Sequence, residues 1–534
     1  MLKWYNPVIG KRSKTILLSE PARHEAVSDL GAENVALRAL VESQAETIRT
    51  LREKLDWFQR ELFGRKSEKR LIVDDPRQGS LLSGDVEMPP VPDLPEETVS
   101  YTRRKKKRGN AVNDSGLRFD KSVPVETIEI EAPELEAEPE RYEIIGHKES
   151  HRLAQRPASY VVLCYRRPVL KERKTAAIIT PPAPANVLDN SVADVSLLAG
   201  MLVDKFAYHL PLYRQHQRMA EGGVQLARGT LTNLTQRAID LLRPIYDAQR
   251  AHVLQSRILA MDETSLKVGR NGKGSMNQAW VWPIYGDHDE VVFHYAPDRA
   301  DANVPRFLGD HFTGTLVTDG LDAYARYVAN KPDITHVNCW SHARRPFEKA
   351  QKVEPDAAAE ALRIIGGLYR VEEVIRKRKL SGQKKLNYRA KHSAPIVEAF
   401  WTWCDAQCRR DDLSPSNLLT KALKYVQARV EPLQVFLSDP DVPLDTNHLE
   451  RALRPIPMGR KAWLFCWTEL GGEHVAIIQS LLTTCRLHDV RPHEYLVDVL
   501  QRVGDQPAKQ AIELTPRVWK RRFGDDPLRS DIDR

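Results

Sequence analysis

The sequence predicts a multidomain α/β protein, and three observations carry that expectation. Its 534 residues call for three or four folded units, since domains usually hold about 100–200 residues. Two short apolar runs, Ile258-Leu259-Ala260-Met261 and Thr315-Leu316-Val317-Thr318, each end on an aspartate, Asp262 and Asp319, as buried strands do when they deliver an acid at their tips. Ahead of them, Leu37, Val41, Gln44, Ile48, Leu51, Leu55, Phe58 and Leu62 alternate steps of four and three, a coiled-coil seam.

Composition narrows the function classes. The 42% apolar content supplies packed cores. No apolar run approaches the roughly 18–20 residues of a bilayer span, which argues against membrane insertion. The N-terminal stretch lacks the longer apolar segment of a secretory signal, so a cytoplasmic protein is expected. Six cysteines (164, 339, 404, 408, 466 and 485) form neither a disulfide framework nor a paired zinc ribbon. Lys plus Arg is 80 against 72 Asp plus Glu, and this net +8 is a weak pointer to polyanions. The distribution of charge says more.

Residues 31–70 form the coiled coil, whose polar Gln44 would set register in a homo-oligomer. Residues 71–124 read as a linker. From Asp85 to Glu97 five acids and four prolines cannot bury a core. Then Arg103, Arg104, Lys105, Lys106, Lys107 and Arg108 place six charges in succession, enough to track a phosphate backbone. Residues 125–180 form a small β-like region around Ser159 to Arg167, closed by the proline joint after Thr180. Within 192–245, helices at Leu212 to Glu221 and Thr230 to Leu242 flank Gly222-Gly223 in a helix-turn-helix outline.

Residues 255–347 and 440–485 carry the strands and acids. Further strands are expected at Ala279 to Tyr285, Val291 to Tyr295 and Ile334 to Trp340, with Cys339 and Trp340 in strand core. In the helix after Asp445, which reads as its N-cap, Asn447, Glu450, Arg451 and Arg454 share a face, Glu450 is held by Arg454, and Pro455 ends the helix. The 131 positions between Asp319 and Glu450 predict a helical insertion over 348–439. There Arg376 to Lys391 holds eight Lys or Arg and no acid, with Arg376, Lys377 and Arg378 as candidate backbone contacts beside Tyr388. Cys404 and Cys408 read as packing beside Trp401 and Trp403. Residues 486–534 form a tail.

Separated acids on adjacent elements suit phosphodiester chemistry, in which two Mg²⁺ ions about 4 Å apart must be clamped by hard oxygen ligands. His342, Arg344 and Arg345, just past a strand end, and Arg451, Arg454, Arg460 and Lys461 are candidates to touch a phosphate, for which the arginine fork is shaped. Glu263, Asp322 and Asp445 are the runner-up acids.

Met261-Asp262-Glu263-Thr264, Thr318-Asp319-Gly320 with Ala323-Tyr324, Cys339-Trp340-Ser341-His342-Ala343-Arg344-Arg345-Pro346-Phe347, and Asn447 to Pro455 followed by Gly459 to Phe465 resemble the ordered motifs of the insertion sequence 66 family of DDE transposases. The seam ending in Phe63 to Lys69, Lys205 to Arg214, and the tail from Gly471 to Trp519 resemble it as well. The resemblance implies a ribonuclease H-like mixed sheet flanked by helices. It also implies Asp262, Asp319 and Glu450 as the catalytic triad holding two Mg²⁺ or Mn²⁺ ions, and a DNA partner cut at element ends, the freed 3′ hydroxyl being joined to target DNA. Relatives often act with small accessory proteins. Many carry a cysteine-rich zinc motif where Val125 to Arg167 offers only Cys164, with His147 and His151 nearby, so no zinc is expected. The alternative is a catalytically silent, transposase-derived DNA-binding or regulatory protein, which would shift DNA without cutting it.

Overall fold

The computed structural model describes residues 117–156, 159–270, 275–309 and 311–533. The coiled-coil seam, the acidic linker and Arg103–Arg108 lie outside the described residues.

The described chain opens with β1 (Arg118–Phe119), β2 (Val125–Glu129), α1 (Pro133–Ala137), β3 (Tyr142–Arg156), β4 (Ser159–Glu172) and β5 (Ile178–Ile179). β3 and β4 form a long antiparallel hairpin, β2 adds parallel to β4, and β5 pairs with its far end. Tyr160 through Tyr165 are all buried, so polar alternation is missing. Both faces of β4 are covered: Tyr160 and Val162 join the main core, while Val161, Leu163 and Tyr165 pack with Ala154 and the C-terminal Ile532.

Next come α2 (Val195–Phe206), α3 (Leu212–Glu221), β6 (Val224–Gln225) and α4 (Arg228–Val253). Asp194 caps α2 by accepting the Ser196 N–H at 2.9 Å. α3 and α4 flank Gly222-Gly223, and β6 pairs with β1 across the turn.

The central sheet follows: β7 (Ile258–Met261), β8 (Thr264–Arg270), β9 (Met276–Tyr285), β10 (Val291–Ala296), α5 (Asn303–Leu308), β11 (Gly314–Thr318), α6 (Asp322–Ala329), β12 (Ile334–Asn338) and α7 (Trp340–Ala350). Its order is β10-β9-β7-β11-β12, with β7, β11 and β12 parallel and β9 and β10 antiparallel. Ala260 faces Tyr285, Met261 faces Ile284 and Thr264 faces Val281, so β7 and β8 keep one register along β9 as far as Val268, where a bulge shifts it. The interruption falls at Asp262, opposite Pro283, which has no N–H to give the ladder. An acid is thereby set into the middle of a strand pair.

The insertion is helical: α8 (Pro355–Lys377), α9 (Gly382–His392), α10 (Ala394–Cys408), α11 (Leu418–Gln427) and α12 (Val430–Gln434). Cys404 is buried in it as expected, but Cys408, also read as packing, is exposed because it is the last residue of α10. The chain returns through α13 (Asn447–Leu453), α14 (Pro455–Trp463) and α15 (Glu469–Leu487), which lies along β10, and ends with α16 (Pro492–Arg502) and α17 (Pro516–Arg522). No helix among the described residues is long and apolar enough to cross a membrane.

Two further local expectations are corrected. The apolar run into Trp340 is not all strand: β12 stops at Asn338, and Cys339 caps α7, with Trp340 as its first residue. Both are fully buried, so their apolar character reflects packing at a helix start. Asp445 is not the N-cap of α13. Thr446 holds that position, and Asp445 reaches past it to accept the Asn447 N–H at 3.0 Å.

Candidate active site

Asp262 leaves β7 and Asp319 leaves the neighbouring parallel strand β11, so the two carboxylates emerge side by side at the same sheet end. Asp319 Oδ1 accepts the Leu321 N–H at 2.9 Å, and its backbone oxygen accepts from Asn338 Nδ2 at 2.6 Å, which fixes the turn. The next residue admits no side chain, since a Cβ on Gly320 would stand 2.3 Å from the Tyr425 hydroxyl. Glu450 comes in on α13 and His342 on α7.

Carboxylate oxygens of Asp262, Glu263 and Asp319 lie within 4.8 Å of one another. So do the donor atoms of Asp262, His342 and Glu450. Asp262 belongs to both groups, and the three acids singled out in the sequence therefore gather around it. Glu450 is held by Arg345 at 2.5 Å, with His342 Nε2 at 3.6 Å. The expected partner Arg454 does not hold it, because it sits at the end of α13, where the short helix gives way to α14.

The electrostatics are those of a cluster short of positive charge. Burial, then the charges of Glu263 and Asp319, push the Asp262 carboxyl up to about 8, against the Glu263 N–H that it accepts at 2.8 Å. Among the described residues no cation is ion-paired with Asp262 or Asp319. Glu263 is raised by burial and by Asp319, and is restrained by Arg299 and by the Tyr324 hydroxyl at 3.0 Å. Burial and Arg345 hold His342 below the ordinary imidazole range, against the opposing pull of Asp319 and Glu450. The site thus presents carboxylate oxygens and a neutral imidazole, a donor set fit for hard divalent cations.

The remaining candidates fall in different places. Arg344 is exposed and pairs with Glu348 at 3.4 Å, while Arg451, Arg454 and Lys461 are exposed. Arg460 is turned inward and donates to the Ser265 hydroxyl at 2.6 Å, a structural bond inside β8 rather than an open phosphate contact. Arg376, Lys377 and Arg378 are exposed at the end of α8, Lys377 paired with Glu373 at 2.7 Å. Arg389, counted in the same basic stretch, is fully buried. Among the runner-up acids Glu263 lies in the cluster. Asp322 is exposed opposite Arg429, at 3.9 Å, and Asp445 serves α13. Arg299 and Tyr324, which order Glu263, were not singled out as site residues. The one available signal was Tyr324's place in the motif after Asp319. In the N-terminal sheet, cross-strand pairing brings Glu149, His151 and Cys164 within 4.8 Å, a donor group that counting cysteines could not reveal.

Acids gathered at the ends of parallel strands in a mixed sheet flanked by helices are consistent with a transposase domain. The family model described as Transposase IS66 family matches residues 190–474, the IS66 C-terminal element matches 480–516, and a region described as Transposase C of IS166 homeodomain matches 50–128. The chain belongs to the IS66 family of transposases. Three uncharacterized proteins of Sinorhizobium fredii (strain NBRC 101917 / NGR234) are similar to it. They are y4hP, 30% identical over 399 residues covering 71% of each chain; y4jD, 30% over 505 residues covering 90% of this chain and 96% of the relative; and y4qI, 29% over 522 residues covering 94% and 95%.

Proposed function

We propose that the protein cuts DNA at the ends of its element and joins the freed 3′ hydroxyl to target DNA, with Asp262, Asp319 and Glu450 as catalytic acids. The convergence of Asp319 and Glu450, far apart in sequence, on Asp262, whose carboxyl is raised by burial and then by its acidic neighbours, carries this reading. The sheet order supports a ribonuclease H-like core: an antiparallel β10-β9-β7 unit extended by the parallel strands β11 and β12. Asp262 and Asp319 would hold one Mg²⁺ or Mn²⁺ ion, and Asp262, Glu450 and His342 a second. Bound there, two such ions supply activation of the attacking oxygen and charge stabilisation at the leaving one. Arg345 fixes the Glu450 carboxylate, and Arg299 with Tyr324 orients Glu263, whose carboxylate lies within reach of the same ion as Asp262 and Asp319. Arg344, Arg451, Arg454 and Lys461 are exposed and would meet phosphates.

The domain organisation belongs to the same proposal. Residues 31–70 pair copies of the chain, 103–108 and the helix-turn-helix-like pair hold DNA, 348–439 is the insertion within the catalytic core, and 486–534 the tail. The test is a plasmid carrying both element ends, incubated with purified full-length protein and Mg²⁺ or Mn²⁺. Metal-dependent nicks at the ends are expected. Asp262→Asn, Asp319→Asn and Glu450→Gln should shift the DNA without cutting it, and strand transfer by any of the three overturns the assignment.

A further inference from the structure

Beside the later part of β8 lies a cavity that the cutting chemistry does not use. It has a volume of about 370 Å³ and opens between α2–α4 and the segment that follows α14. Its rim is tied to the catalytic sheet, because Cys466 donates to the Lys267 carbonyl at 2.9 Å and accepts from the Gly269 N–H at 3.0 Å. Val268, bridged to Cys466, is six residues beyond Asp262, or roughly 20 Å at about 3.3 Å per strand residue. That is about six base steps along a duplex.

The cavity is walled by rings, with the Arg228 guanidinium at its edge. Tyr213, Phe465 and Trp467 line it together with Lys205 and Arg228. Trp467 is 60% exposed and Tyr213 51%, an unusual surface for large aromatics. Phe465 meets Trp467 edge-on at 4.8 Å, and the Arg228 guanidinium lies 4.8 Å over the Tyr213 ring. Trp463, also in the lining, has a buried indole N–H with no hydrogen-bond partner among the described residues. Stacking faces beside the Arg228 guanidinium recognise a flat heteroaromatic ring attached to a phosphate backbone. The volume sits near the bottom of the ligand-sized range of about 300–1,000 Å³, room for a base and far too little for a duplex.

We propose that this cavity receives a single nucleobase swung out of the bound DNA some six steps from the cut bond. The proposal rests on the transposase reading. Held there, the base would anchor the register of the strand against the acids, and its unstacking would favour sequences that open easily.

The test uses the full chain without metal and fluorescein-labelled duplexes of one sequence in three forms: fully paired, with one bulged thymidine, and with one bulged abasic site. The wild type is expected to bind the thymidine bulge roughly fivefold to a hundredfold tighter than the abasic bulge, the range that stacking one base supplies. Trp467→Ala should lose that ratio while holding the paired duplex unchanged, and Trp467→Phe should keep most of it. Circular dichroism and a thermal melt of Trp467→Ala check that the variant is folded. Equal binding of the two bulges by the wild type, or a ratio that survives Trp467→Ala and Phe465→Ala with paired binding intact, overturns the base pocket and leaves the transposase reading standing. Failure to bind any of the three duplexes overturns both.

Discussion

Replacing Asp262 by Asn should make the metal-free protein more stable while abolishing its chemistry. In the unfolded chain the carboxyl ionises near 3.8, and in the fold near 8. Between those limits folding takes up a proton, so this group's contribution is fully present below about pH 4 and is lost as pH rises through 8. A span of about four pH units at roughly 1.4 kcal/mol each sets a ceiling near 6 kcal/mol, and solvent access to the half-buried carboxyl reduces this to on the order of 2–3 kcal/mol. The amide carries no charge, and its oxygen can still accept the Glu263 N–H. Thermal melts in EDTA at pH 5, 6, 7 and 8 should therefore show Asp262→Asn above the wild type by a gap that widens with pH. Adding Mg²⁺ or Mn²⁺ should raise the wild-type midpoint and leave the variant almost unmoved, because ligand binding stabilises only the chain that binds. A variant that melts below the wild type at pH 8 in EDTA, or that responds equally to metal, would refute the charge-starved cluster.

Arg345→Ala removes a half-exposed pair, so stability should change by less than about 1 kcal/mol. The divalent-metal concentration for half-maximal nicking should rise about 10- to 100-fold, as loss of a ligand-orienting contact typically produces; an unchanged metal titration counts against the role given to Glu450. Gly320→Ala drives a Cβ to within 2.3 Å of the Tyr425 hydroxyl and must shift the turn carrying Asp319, so nicking should fall by at least about tenfold even where circular dichroism reports a folded protein. In the basic stretch, Arg389→Met should cost about 3–5 kcal/mol in denaturant unfolding, for it leaves Glu372 and three carbonyls without their buried cation. Alanine at Arg376, Lys377 or Arg378 should leave stability within about 0.5 kcal/mol and, if these residues grip phosphates, flatten the salt dependence of DNA binding by roughly 0.9 per residue.

The strand tips could be read from the sequence because the information is local. Ile258–Met261 and Gly314–Thr318 are buried on both faces, so they appear as unbroken apolar runs that a single following aspartate punctuates. α3 matched its expected span of Leu212 to Glu221 because the Gly222-Gly223 pair ends it cleanly. What escaped is contact between distant segments. Trp340 looked like strand because burial and strand share an apolar signature. Arg389 looked like a phosphate contact because a run of charges does not say which member turns inward. Arg345, not the i+4 neighbour Arg454, holds Glu450, since α13 spans only seven residues and the neighbouring helix stands closer. The opposition of Pro283 to Asp262 follows from a register that only pairing reveals.

Those long-range contacts explain how Glu450, 131 positions after Asp319, reaches Asp262 in the cluster. The chain returning from the insertion is stitched to the head of α7 at several points. The Trp340 indole donates to the Leu433 carbonyl at 2.8 Å, its backbone N–H to Leu444 at 3.2 Å, and the Thr446 N–H to Cys339 Sγ at 3.2 Å. Arg389 gathers the carbonyls of Phe436, Asp439 and Val442 on the way. Because α7 also carries His342 and Arg345, the same stitching that closes the insertion sets both partners of Glu450. A carboxylate cluster that raises its own members cannot be the source of its geometry, since mutual repulsion favours spreading. The geometry has to be imposed from outside, by Trp340 and Arg389 in the core and by β11 and β12 beneath. The insertion is therefore better understood as the frame that keeps Glu450 in register than as an appendage to the sheet.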